Sequence, residues 1–176
     1  MARTTPQKKH NQQKFEHHIY SLLVENKFGV LSRVSGLFAR RGFNIYSLAV
    51  NPTEDEAFSR MTIVVDAQAQ PLEQVTKQLN KLIPIIKINE IGKGEGVERE
   101  LVLITAKCDS TSRAQISELA SIFKAIIVEV GIDTIMLELS GTPDSINAFT
   151  DLVEPFGIIE LQRTGRIALP KLKTHS

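Results

Sequence analysis

Residues 22–48 read LLVENKFGVLSRVSGLFARRGFNIYSL, and the spacing of their apolar residues changes twice. Tyr20, Leu22 and Val24 alternate over Ile19–Glu25, the period of a strand with one buried face. Asn26-Lys27-Phe28-Gly29 breaks that period. From Val30 onward, Val30, Leu31, Val34, Leu37 and Phe38 recur at helical spacing, with Arg33, Arg40 and Arg41 on the other side. Gly42 stops the helix, and Asn44–Val50 returns to a strand.

Outward from this stretch the pattern continues. Asn51–Glu56 is a polar turn, and MTIVV, 61–65, is a third strand rich in β-branched residues. Pro71 suits a first helical position, and Leu72, Val75, Leu79 and Leu82 follow at steps of three and four. Pro84 ends that helix, and Ile85–Ile91 is a fourth strand. GKGEG, 92–96, has three glycines in five residues, so a linker is expected over 92–98.

The same order then recurs. It runs through a strand at 101–106, a helix at 112–124, strands at 126–130 and 134–139, a helix at 143–153 and a strand at 158–162. The fold class is α+β: two ferredoxin-like βαββαβ units in tandem, 19–91 and 99–168. Right-handed crossovers put each unit's first and third strands in the middle of its sheet. An open four-stranded sheet leaves edges that pairing into a dimer would cover.

Composition narrows the chemistry. The 176 residues are 42% apolar and 23% charged, an ordinary globular balance. Their formal net charge is only +1. A single cysteine, Cys108, excludes an internal disulfide and a cysteine-built zinc site, and it reads as a small core residue. No apolar run is long enough to span a bilayer, so no membrane partner is expected. The start lacks the apolar core of a secretory signal. The expected location is cytoplasmic, or a plastid if the source is a photosynthetic eukaryote.

Cations gather at the two ends, with Arg3, Lys8, Lys9 and Lys14 near the start and Arg163, Arg166, Lys171 and Lys173 near the finish. They read as a disordered basic extension over 1–18 and a basic tail over 169–176, around a net acidic body. All four histidines, His10, His17, His18 and His175, fall in these ends. Histidine-based acid–base chemistry and metal sites are therefore not expected in the body, and neither catalytic nor metal residues are assigned.

An RNA-recognition module shares this strand and helix order, but it reads bases with aromatics on its middle strands. Here only Tyr20 and Phe58 are near those positions, so no nucleic-acid partner is expected. Glu25, Asp66, Glu90 and Lys107 form no close cluster for an active site.

The turn at 26–29 is the place for a ligand. Amides at a helix start favour anions, and a glycine lets an anion approach them. Asn26 and Asn44 each carry a donor and an acceptor, so together they suit the two ends of a small zwitterion. On the residues alone a plainer reading stays open: Asn26 and Gly29 make a tight strand-to-helix turn, and Asn44 caps the turn after Gly42. No phosphate-binding glycine motif is present. The second unit lacks the glycine, and there Asp109 or Ser112 reads as a helix cap.

EN-x-x-G-x-LSRV-x-GLF-x-RRG-F-NI-x-SL, SRMTIVV and LEQVTKQLNKLIPIIKI resemble the regulatory small subunits of acetolactate synthase. RELVLI and EPFGI in the second half match more loosely. The resemblance covers about 19–168 and implies that the first unit is an ACT domain. It further implies a homodimer formed through the ACT domains, and a large catalytic subunit as partner. Thiamine diphosphate, magnesium and flavin would sit on that partner, with no cofactor in this chain. The chain would raise the partner's activity in branched-chain amino acid biosynthesis and confer feedback inhibition by valine or a related amino acid. Carried over by position, Asn26, Gly29, Val30, Leu31, Asn44 and Ile45 become the effector contacts, with Ser32 supporting them at the first helical turn. An ACT sensor serving a different partner is the alternative.

Overall fold

The computed structural model describes residues 17–66 and 72–172. The first unit comprises β1 (His17–Glu25), α1 (Val30–Arg40), β2 (Ile45–Pro52), β3 (Phe58–Asp66), α2 (Leu72–Leu79) and β4 (Ile85–Ile91). The second comprises β5 (Gly96–Lys107), α3 (Ser112–Phe123), β6 (Ile126–Val130), β7 (Thr134–Gly141), α4 (Pro143–Val153), a 3-10 turn at Glu154–Phe156, β8 (Ile158–Arg163) and β9 (Ile167–Pro170). Sheet order is β2-β3-β1-β4 in the first unit and β6-β7-β5-β8 in the second. Each unit's first and third strands are central, as the crossover rule requires. All strand pairs are antiparallel.

Alternation along β1 creates the first core. Tyr20, Leu22 and Val24 are fully buried on the face that receives Val34, Leu37 and Phe38 of α1 and Val75 and Leu79 of α2. Full burial of each such side chain stabilises the fold by about 1.5–3 kcal/mol relative to exposure. The second core repeats the arrangement, with Val102, Ile104 and Ala106 of β5 under Ile116 and Ala120 of α3 and Ile146 and Phe149 of α4.

Three expectations about the ends and the linker are corrected. His17 and His18 belong to β1, paired with Asp66 and Val65 of β3, not to a frayed extension. The glycine-rich segment is only a turn at 92–95, because β5 already begins at Gly96. Residues 96–99 pair with β9, so Leu169 and Pro170 are ribbon, not tail. This ribbon lies on the face of the first sheet away from its helices, and Ala168 is buried there with Ile19, Val64 and Ile91.

The basic charge at 163–166 is likewise structural. Arg163 makes a two-pronged pair with Glu100, its Nε donating to Oε1 at 2.8 Å and its Nη2 to Oε2 at 2.6 Å. Arg166 is only 7% exposed. The readings placed on 1–16, on Pro71 and on 173–176 lie outside the described residues. The second helix ends at Leu79, and Leu82 follows it in a turn but still packs on the first core.

Candidate functional site

The turn after β1 is built so that a helix start stays open. Asn26 is fixed by its backbone N–H, which donates to the Ala57 carbonyl at 2.8 Å. Its side-chain Nδ2 donates to the Glu56 carbonyl at 2.8 Å, while its Oδ1 accepts nothing among the described residues. Gly29 takes φ 80°, a left-handed conformation that disfavours any Cβ, and no atom lies within 4 Å of where one would be. The backbone amides of Gly29, Leu31 and Ser32 have no acceptor among the described residues. No side chain caps α1, and its first turn carries no acid. The end with partial positive charge is therefore free to take an anion.

The other two helices with described starts are closed. At α3 the Asp109 carboxylate accepts from Ser112 N at 2.7 Å and Thr111 N at 2.9 Å, and from both hydroxyls at 2.8 and 2.7 Å. These bonds, that from the Ser112 backbone foremost, hold its carboxyl far below the usual carboxylate range. At α4, Thr142 Oγ1 accepts from Ser145 N at 3.2 Å. The second unit thus caps both helix starts with its own side chains, a carboxylate at α3 and a hydroxyl at α4, whereas α1 has no side-chain cap.

The sequence-derived contacts divide into two groups. Asn26, Gly29, Leu31 and Ser32 are exposed at the turn, and Phe28 projects fully into solvent beside them. Val30, expected to line a pocket, is 5% exposed and belongs to the core under α1. Its side chain follows the helical apolar period inward and leaves only backbone at the turn.

Asn44 and Ile45 are at the opposite end of the sheet. Glu25 pairs with Phe58 at the start of β3, whereas the Asn44 carbonyl accepts from Asp66 N at its finish. Nine residues of β3 separate these levels, about 27 Å at strand rise. One copy of the chain does not bring Asn26 and Asn44 to the same small molecule. This arrangement was hidden at the level of spacing, because β1 and β2 are parallel and both begin at the same end of the sheet.

Asn44 has a charged neighbourhood. Its Nδ2 donates to Asp66 Oδ2 at 2.9 Å, and Asp66 Oδ1 lies 3.3 Å from His17 Nδ1. The His17 ring is 4.3 Å from that of Tyr46, centroid to centroid. The Arg166 guanidinium stands over the other partner of this stack, 5.2 Å from the Tyr46 centroid. Burial first, and then the Arg166 charge, press the His17 imidazole below its ordinary value, against the opposing pull of Asp66 and Glu98. Neither His17 nor Arg166 was singled out by sequence reasoning; their place in polar termini concealed them.

A cleft of about 460 Å3 opens between the β5–β9 ribbon and β2–β3, with Ala49, Thr62, Val97 and Ile167 among its walls and Arg60 and Arg99 beside them. It includes neither Asn26 nor Asn44. No group of three or more potential metal-binding side chains occurs among the described residues. No helix among them is long and apolar enough to cross a membrane.

A βαββαβ unit with an open glycine turn before its first helix, joined to a second such unit, places the chain among two-domain proteins of the ACT class. Residues 20–87 match the family model for the acetohydroxyacid synthase small-subunit-like ACT domain, and 99–172 that for the small subunit of acetolactate synthase. The chain belongs to the acetolactate synthase small-subunit family. It is 49% identical over 154 residues to the acetolactate synthase small subunit of Mycolicibacterium smegmatis, covering 88% of this chain and 91% of that protein. It is 52% identical over 152 residues to a probable acetolactate synthase small subunit of Archaeoglobus fulgidus, covering 86% and 95%. The crystal structure of the Thermotoga maritima acetolactate synthase small subunit superposes with a TM-score of 0.83 at 35% identity, over 90% of this chain and 99% of that one.

Proposed function

We propose that this chain is the feedback-sensing regulatory subunit of acetolactate synthase and that two copies build the effector site between them. A carboxylate would rest on the free amides of Gly29, Leu31 and Ser32 with Asn26 beside them. The ammonium group would meet Asn44 and the Asp66 carboxylate of the second copy. The observation that carries this reading is the separation of Asn26 from Asn44 by the length of β3.

β2 ends the sheet, and its outer edge pairs with no other strand among the described residues. Two copies that add edge to edge about a two-fold axis run their β2 strands antiparallel, which brings the start of one β2 to the finish of the other. The start carries Asn44, and the finish lies at the same end as the Asn26–Gly29 turn. The exposed Phe28 and the half-exposed Leu31 and Tyr46 then gain cover. Leu31 and Ile45 supply an apolar wall for a branched side chain, and valine fits this combination of charges and small apolar surface.

Bound amino acid regulates only if it prefers one arrangement of the subunits. The large catalytic subunit would hold thiamine diphosphate, magnesium and flavin, and this chain would raise its activity in the absence of the amino acid. Reconstitution with the large subunit of the same organism tests the reading. We expect stimulated acetolactate formation that valine suppresses for the wild type. We expect stimulation with valine sensitivity weakened about 10- to 150-fold for Asn26→Ala. Equal inhibition of both would reject the site. Failure to bind the large subunit would instead favour an ACT sensor for another partner.

A further inference from the structure

We propose that Arg166 couples the amino-acid site of the first unit to the position of the second, through Tyr46, His17 and Asp66. The links are contacts of 2.9 to 5.2 Å, and the one between Asp66 Oδ1 and His17 Nδ1 is a 3.3 Å charge approach without a hydrogen bond. Asn44 donates to Asp66, Asp66 pairs with His17, His17 stacks on Tyr46, and Tyr46 carries the Arg166 cation on its ring. Arg166 is the last residue before β9, so this path starts at a candidate effector contact and ends in the ribbon that spans both units. The coupling presupposes that Asn44 meets the amino acid, so direct binding and inhibition are measured separately below.

The 164–166 segment is pinned at its backbone but loosely held at its charge. Arg166 N donates to Ser47 Oγ on β2 at 2.8 Å. Gly165, at φ 86°, comes so close to β2 that a Cβ there would stand 2.9 Å from the Leu48 carbonyl oxygen. The guanidinium, in contrast, is buried with no hydrogen-bond acceptor for Nε, and its Glu98 partner is 3.7 Å away, beyond hydrogen-bond reach. A buried cation with an unsatisfied donor is held in a setting of low dielectric, where a change of nearby charge is strongly felt.

Such a change is what an ammonium group at Asn44 and Asp66 would bring. It competes for the Asp66 carboxylate and weakens the hold of Asp66 on His17. The imidazole is then free to shift on Tyr46, the ring that seats Arg166. The output is the angle at which the ribbon, and with it the second unit, sits on the first sheet.

The test uses the holoenzyme reconstituted from the full chain and the large subunit, with calorimetric titration of valine on the small-subunit dimer in parallel. Arg166→Gln is expected to bind valine within about threefold of the wild type. Inhibition of acetolactate formation by valine should weaken by 5-fold or more, the lower end of common allosteric couplings of about 5- to 150-fold. Tyr46→Leu removes the seat without burying a new charge and is read in the same way if Arg166→Gln does not fold. Arg166→Lys, which keeps the cation but not the planar face, should recover only part of the inhibition. Unchanged inhibition in both Arg166→Gln and Tyr46→Leu would overturn the coupling. So would binding and inhibition lost in parallel, which would make these residues part of the site or of the fold. A wild type that binds no branched-chain amino acid would remove the functional reading itself, and the coupling with it.

Discussion

A site shared between copies makes a quantitative prediction about mixed dimers. In a homodimer of Asn26→Ala, each of the two sites lacks one amide. The same holds for a homodimer of Asn44→Ala. A hydrogen bond to a charged group is worth about 1.5–3 kcal/mol. Each homodimer should therefore bind valine about 10- to 150-fold more weakly than the wild type, at both sites. A dimer with one copy of each variant is different. The site formed by the unaltered Asn26 of one copy and the unaltered Asn44 of the other is complete, while the second site lacks both amides. Differently tagged copies, co-expressed and purified through both tags, should titrate in a calorimeter with half the wild-type capacity at the wild-type affinity. The other half should be too weak to register. If Asn26 and Asn44 of one chain served the same molecule, both sites of the mixed dimer would be singly defective. Only weak binding would then be seen. That result would refute the division of the site across the two ends of β3, which here spans nine residues.

Other consequences follow from single contacts. Gly29→Ala meets no atom within 4 Å, so its cost is the left-handed backbone alone, about 1–2 kcal/mol in equilibrium urea unfolding. A loss of several kcal/mol would mean a hidden clash. Arg163→Met strands the Glu100 carboxylate, whose side chain is 4% exposed, and should destabilise the second unit by about 3–5 kcal/mol in equilibrium urea unfolding. The double variant Arg163→Met/Glu100→Met should recover most of that loss, and no recovery would count against a stranded charge. Folding holds the His17 imidazole below its ordinary value, so the unfolded chain binds the proton more readily. This contribution to stability is present at neutral pH and is lost as the pH falls through about 6.5 and below. The charges facing His17 are Asp66 on β3, Glu98 on β5 and Arg166 in the turn before β9, with the Tyr46 ring on β2. His17→Gln should flatten the dependence of the urea midpoint on pH between 7 and 5, and an unchanged slope would assign it to other groups.

Local period was enough to read the repeating βαββαβ order, because each strand and helix buries a single stripe that its own spacing declares. Ile85–Ile91 and Pro143–Val153 have the limits that Pro84 and the proline at helix entry impose. What escaped was decided by residues far apart in the chain. IALP at 167–170 has four residues, a proline and basic neighbours, and nothing local marks it as a strand; it becomes one because residues 96–99 stand opposite with unpaired backbone. Arg163 and Arg166 look like solvated tail charges until Glu100 and the Tyr46 ring are set against them.

The same limit governs the site. Asn26 and Gly29 are legible as an open helix start because the relevant amides lie within the next few residues, and the self-capped Asp109 turn shows what a closed one looks like. Asn44 enters the proposed site only from family position. Its distance from Asn26 is set by the parallel course of β1 and β2 on either side of β3, which no spacing between residues 26 and 44 encodes. That distance is what makes the proposed site one that needs two copies rather than a two-ended clamp within one chain. In the proposed dimer the ammonium end of the effector would meet Asp66, at the head of a chain of contacts that runs from the first unit through His17, Tyr46 and Arg166 into the ribbon of the second.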